Sequence, residues 1–280
     1  MADETAQDKS ESARATGGAR RAAAHEGPPE RGIAAYVGEL IGTFALVFLV
    51  TAVVSLYVLP PVAVAPGQAP VQPFIDFSVI GLVHVFALFF LIQTLAIVSG
   101  AHFNPAVTVA MAAIRQIRPA DAGIYIVVQL LGAVLGAFLT KALLEDEGDA
   151  VNYGATMVSD RLNGEAFAGM IVELIGTFFL VFAIVGVAVN PRGTKEWAGL
   201  TIGGTLGLLV MIFGPLSGAG FNPARSFGPA IVSGEFGGTG DFLLTYVAGP
   251  VLGAVLAAVV YFRIFILPGA REPGGLEPVG

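Results

Sequence analysis

The chain repeats itself, and the repeat dictates how it can fold. GELIGTFALVF at 38–48 returns as VELIGTFFLVF at 172–182, and FNPA at 103–106 returns at 221–224. The offsets are 173 − 39 = 134 and 222 − 104 = 118, so the first copy is longer by 16 residues, which the Pro-rich connection 59–73 absorbs. A segment of about 20 apolar residues crosses a bilayer. Each copy carries three such segments, predicted roughly at 33–58, 74–98 and 121–144, then at 166–189, 197–214 and 241–266. An odd number of crossings per copy turns the second copy upside down relative to the first, and an inverted repeat places its shared feature near the midplane.

Composition agrees with a membrane protein. Apolar residues make up 55% of the chain, charged residues 12%, and the mean hydropathy is +0.79, a balance that a water-soluble core does not use. Of 14 + 21 = 35 charged residues, 11 lie in the first 31 positions. Residues 1–31 mix both signs with Ala, Gly and Ser and read as a disordered tail without the apolar core of a signal peptide. The expected organisation is that tail, a single transmembrane domain over 32–268 (repeat one 32–148, repeat two 166–268), and a second tail over 269–280. The absence of cysteine removes thiolate metal sites, disulfides and cysteine nucleophiles. No metal, cofactor, nucleic-acid partner or enzymatic constellation is expected.

With the amino terminus placed in the cytoplasm, eleven of the fourteen Lys and Arg residues fall inside. Only Lys141 and Arg161 fall outside, and Arg225 belongs to neither side, a bias that sets both termini in the cytoplasm. Glu145, Asp146, Glu147, Asp149, Asp160 and Glu165 then form a solvated outer charge run. Gly132 with Gly136, Gly199 with Gly203 and Gly207, and Gly249 with Gly253 carry the small-residue spacing of close helix crossings.

An Asn-Pro pair at membrane depth is tolerated only where irregular backbone is buried in protein or lines a wet cavity. Asn is a strong helix N-cap and Pro suits the first helical position. Asn104-Pro105-Ala106 and Asn222-Pro223-Ala224 are therefore predicted to start half-helices over 104–115 and 222–233, with their tips facing each other across the midplane. Each tip carries about half a positive charge, which opposes cations. The two Asn amides offer donors to a lumen, so a water passing there loses its donor link to its neighbour and proton hopping is interrupted.

SGAHFNPAVT, SGAGFNPARSFGPA and the paired ELIGTF segments resemble the aquaporin and aquaglyceroporin family over essentially residues 33–266. The resemblance implies an all-α membrane fold, a right-handed bundle of six tilted helices plus two re-entrant half-helices, with one pore per subunit in a homotetramer. The plasma membrane is the expected host. The implied activity is passive conduction of water and small neutral solutes, with protons and ions excluded. Counting from the two Asn carries the family's constriction onto His84 (104 − 20), Val210 (222 − 12), Ala219 (222 − 3) and Arg225 (222 + 3).

Arg225 stands on its own chemistry too. It is the only charge between Glu196 and Glu235, and a guanidinium at membrane depth needs water or acceptors. The His84 ring is expected to offer a donor and an acceptor opposite it. With His84, Val210 and Ala219 the constriction resembles the plant vacuolar subgroup, a width that admits ammonia, urea or hydrogen peroxide beside water. Ser226 stands where glycerol channels of the family place Asp, and Tyr246 where water channels carry an aromatic, so water is favoured over a glycerol-type facilitator. Glu39 and Glu173 are expected to accept hydrogen bonds from bare N–H groups of the loop before their own half-helix. His102 reads as a loop-packing residue. A secondary transporter also uses inverted repeats and broken helices, and would need carboxylates in the pore.

Overall fold

A computed structural model describes residues 28–59 and 74–268. The two tails, up to residue 27 and from 269, and most of the 59–73 connection lie outside the described residues. Among the described residues, six helices are long and apolar enough to cross a membrane: α1 (Ile33–Tyr57), α2 (Phe77–Ser99), α4 (Pro119–Leu143), α6 (Ala166–Val189), α7 (Lys195–Ser217) and α9 (Thr239–Ile266). Two half-helices, α3 (Pro105–Ala113) and α8 (Pro223–Ser233), complete the two repeats. A short helix α5 (Glu145–Asp149) lies in the connection between the repeats. Strands Val58–Leu59 and Phe74–Ile75 pair antiparallel at the ends of the longer connection.

Local chemistry sets the helix ends. Asp76 caps α2 by accepting from Ser78 N and Val79 N, so the second crossing begins three residues later than predicted and Phe74–Ile75 is strand. Gly100 and Gly218 stop α2 and α7 in the left-handed conformation that glycine adopts without a Cβ penalty. The fifth crossing extends past its predicted end to Ser217 and carries Pro215 inside it. Turns of π type interrupt the regular ladder at Val185–Val189, Leu243–Ala248 and Phe262–Ile266.

Three glycine seams bring the helix axes together. A Cβ on Gly132 or Gly136 of α4 would collide with the Leu40 or Phe44 carbonyl oxygen of α1. Gly249 and Gly253 of α9 meet the Met170 and Leu174 oxygens of α6 in the same way, and Gly203 and Gly207 of α7 meet the Val85 and Gly81 oxygens of α2. The first two seams join the outer helices within each repeat, and the third joins the middle helices of both. Close approach of this kind supplies van der Waals contact where lipid provides no hydrophobic drive between helices.

Candidate functional site: a conduit between two opposed half-helices

The half-helices start as their caps dictate. Asn104 Oδ1 accepts from Ala106 N at 2.8 Å, and Asn222 Oδ1 accepts from Ala224 N at 3.0 Å and Arg225 N at 3.3 Å. Pro105 and Pro223 occupy the first helical positions. The two tips are tied to each other reciprocally. Asn104 Nδ2 donates to the Phe221 carbonyl and Asn222 Nδ2 to the Phe103 carbonyl, both at 2.8 Å. One amide proton of each Asn is thereby spent on the opposite loop, which leaves one for the lumen.

ELIGTF and FNPA repeat together because they fit each other. Glu39 Oε1 accepts from Ser99 Oγ (2.7 Å) and His102 N (2.9 Å), and its Oε2 from Phe103 N (2.7 Å) and Gln129 Nε2 (2.8 Å). Glu173 Oε1 accepts from Ser217 Oγ (2.6 Å) and Gly220 N (2.9 Å), and its Oε2 from Phe221 N (2.6 Å). Three residues beyond each Glu, Gly42 and Gly176 leave room for the rings of Phe103 and Phe221, which any Cβ there would overlap. Tyr125 and Tyr246 donate to the Ser99 and Ser217 carbonyls at 2.7 and 2.8 Å, closing the ends of α2 and α7.

N–H groups of the two re-entrant loops are consumed in this way, whereas most of the loop carbonyls, those of Phe103 and Phe221 excepted, are not. Among the described residues no protein donor reaches the carbonyl oxygens of Gly100, Ala101, His102, Gly218, Ala219 or Gly220. Five of these residues, Gly218 excepted, line a cavity of about 380 Å³. Both Asn line it as well, and it runs from Arg31, Gln116 and Lys195 at the terminal face to His84, Ala219 and Arg225. Among the described residues, the charged ones lining it are Arg31, Lys195 and Arg225, with no carboxylate. A volume of that size holds a file of waters.

At the far end, Arg225 is 5% exposed, and its Nη1 donates to the Gly154 carbonyl at 2.9 Å while Nε has no protein partner. The connection between the repeats is therefore more than a solvated charge run. Its acidic residues are exposed, but Asn152–Gly154 turns inward and sets an acceptor on the guanidinium. His84 is also corrected in detail: Nδ1 lies 2.8 Å from the Ile80 carbonyl, which can only accept. The neutral ring thus has its donor committed to its own helix and retains only the Nε2 acceptor. His84, Ala219 and Arg225 come together on the lining, whereas Val210, 2% exposed, packs in the same apolar cluster as Ala219 and is not among the residues that line this cavity.

His102 is more than a packing residue, since it lines the cavity, contacts Thr108 Oγ1 through Nδ1 at 3.1 Å and meets the Tyr125 ring edge-on. Its place two residues before the Asn was the available signal. Gln129, which bridges Glu39 and Thr108, was foreshadowed only as a lone amide in an apolar span.

Comparison with known proteins agrees with this geometry. The profile of the family described as "Major intrinsic protein" matches residues 30–261. Nodulin-26 of Glycine max is 39% identical over 225 residues, covering 80% of this chain and 75% of its own length. Aquaporin AqpM of Methanothermobacter marburgensis is 35% identical over 239 residues, covering 80% of this chain and 94% of its own. Glycerol uptake facilitator protein-like 6 of Lactiplantibacillus plantarum is 38% identical over 224 residues, covering 80% and 94%. The structure of the aquaglyceroporin from Plasmodium falciparum shares the fold, with a TM-score of 0.68 at 24% identity over 84% of this chain and 97% of that one. These similarities do not support the expected tie to the plant vacuolar subgroup, because three matching constriction side chains weigh less than identity along the whole channel. An all-helical membrane protein with six spans, and a channel rather than an enzyme, the chain belongs to the major intrinsic protein family.

Proposed function

We propose that the protein conducts water passively in single file, passes small neutral solutes such as ammonia, urea or hydrogen peroxide beside it, and excludes protons and ions. The observation that carries this is the row of carbonyls along the loops 100–102 and 218–220. Carbonyls of cavity-lining residues at membrane depth that have no protein donor need water or a solute donor, and here they flank two helix starts that repel cations. A permeant that both donates and accepts hydrogen bonds satisfies the conduit at every step.

Arg225 acts as the cation barrier and sizing group, with His84 and Ala219 forming the remaining walls. The names of two relatives, an aquaporin and a glycerol uptake facilitator, support water and a small polyol alike. A coupled transporter is disfavoured, because Glu39 and Glu173 are engaged by the loops and no carboxylate lines the cavity among the described residues. Residues 32–268 act as one channel domain, assembled as a homotetramer with both termini in the cytoplasm.

Stopped-flow light scattering on proteoliposomes, comparing water, urea, glycerol and ammonia, tests the proposal. Vesicles should shrink faster than empty ones without any ion gradient. Arg225→Val should raise the urea-to-water permeability ratio about tenfold while water flow survives. Flux that requires a proton or sodium gradient would overturn the channel assignment, and an unchanged ratio would overturn the role of Arg225.

A further inference from the structure

Arg225 is held by a backbone carbonyl, and that carbonyl has to be held by something. Gly154 sits in a stretch where three consecutive residues are left-handed: Asn152 at φ 52°, Tyr153 at φ 50° and Gly154 at φ 73°. Two of them are not glycine, a conformation that persists only where the surroundings over-determine it. Local bonds from Gly154 N to Val151 O and from Ala155 N to Asn152 O hold the turn itself, but they do not fix it against the bundle.

Tyr153 does. Its side chain is 2% exposed and is buried in a cluster with Val47 of α1, Ala133 and Ala137 of α4, and Ala224 and Val232 of α8. Ala224 directly precedes Arg225, so the ring and the guanidinium share one short piece of half-helix. From the other side, the Tyr153 ring closes on Gly148, where a Cβ would overlap it, and Lys141 Nζ stands 5.2 Å from the ring centroid. The hydroxyl donates to the Glu145 carbonyl at 3.3 Å. Space beside Gly154 is closed as well, since a Cβ there would lie 3.2 Å from Val54 Cβ.

We infer that Tyr153 is the positioning residue of the outer constriction: its buried ring pins the connection between the repeats so that the Gly154 carbonyl fixes the Arg225 guanidinium across the conduit. Selectivity is then shared by two parts of the chain, the half-helix that supplies the charge and a loop residue that never touches the permeant. The inference rests on the role proposed for Arg225.

The test is the urea-to-water permeability ratio of proteoliposomes, normalised to folded channel. Tyr153→Ala should raise the ratio about threefold or more while water flow per channel changes less than about twofold. Tyr153→Phe keeps the ring and should return the ratio to the starting value. The double variant with Arg225→Val should show no ratio above that of Arg225→Val alone. A merely structural Tyr153 would lower the yield of folded channels and leave the ratio where it was, and that result would overturn the inference. So would additive effects in the double variant. An unchanged ratio in Arg225→Val would instead overturn the underlying role of Arg225. Should Tyr153→Ala not fold, Tyr153→Leu retains apolar bulk in the cluster and carries the same expectation.

Discussion

Glu173→Gln probes the device on which the irregular backbone depends. The carboxylate accepts from three donors, Ser217 Oγ, Gly220 N and Phe221 N, and is fully buried. In the amide one of the two oxygens becomes an NH2 group. Placed on the Oε2 side, that group faces Phe221 N; on the Oε1 side it faces Gly220 N, while Ser217 can turn its hydroxyl to accept. Either way one buried loop N–H is left without an acceptor, which costs about 1–3 kcal/mol. The two surviving bonds change from charge-assisted to neutral and lose about 1 kcal/mol each. The expected total is about 3–5 kcal/mol. Reversible unfolding in mixed detergent micelles, followed by helical circular dichroism, measures it. A cost below about 1 kcal/mol would mean that the carboxyl already carries a proton and donates, which would sink the acceptor argument for the loops.

Further outcomes follow from particular contacts. Gly176→Ala puts a methyl group into the Phe221 ring and should destabilise the channel by about 1–3 kcal/mol; Gly204→Ala, where the added Cβ meets nothing within 4 Å, is the control and should be neutral or slightly stabilising in the same unfolding assay. His84→Phe removes the Nε2 acceptor from the lining and adds bulk, so the ammonia-to-water flux ratio in proteoliposomes should fall; an unaltered ratio would remove His84 from the constriction.

The parts legible in the sequence were those whose signal is local. Asn followed by Pro suits a helix start where an apolar run follows it, so Pro105 and Pro223 open their half-helices where the motif placed them, whereas Asn190-Pro191 lies in a turn. A lone guanidinium in an apolar run announces itself in the same way. What lay hidden was carried by backbone atoms and by distant partners. The Gly154 carbonyl has no side-chain signature, and the residues around it look like ordinary loop. The meeting of Gly42 with Phe103 joins positions 61 residues apart (103 − 42), and only the joint recurrence of ELIGTF and FNPA hinted at it. Val210 shows the limit of counting. It continues the α7 line of Ala198, Ile202 and Leu206, which do line the cavity, so the count finds the right face of the helix but not where along that face the cavity stops.

The repeat also explains why the proposed selectivity sits at one end of a symmetric backbone. An offset of 118 carries Ser99, Gly100 and Phe103 onto Ser217, Gly218 and Phe221, and it carries the constriction onto its mirror image in the other half. His84 maps to Ile202, Val210 to Ile92, Ala219 to Ala101 and Arg225 to Val107. All four mirror residues line the same cavity, and all are apolar. The two helix dipoles are therefore matched while the fixed charge and the imidazole are not, so the proposed mechanism has a barrier of dipoles alone at the centre and a barrier of Arg225 on one side of it. Arg225→Val equalises the halves at that position. Whatever cation exclusion survives in that variant, measured as conductance per channel in planar bilayers, is the share supplied by the opposed half-helix starts; a variant as leaky as an ordinary aqueous pore would mean that those dipoles contribute nothing.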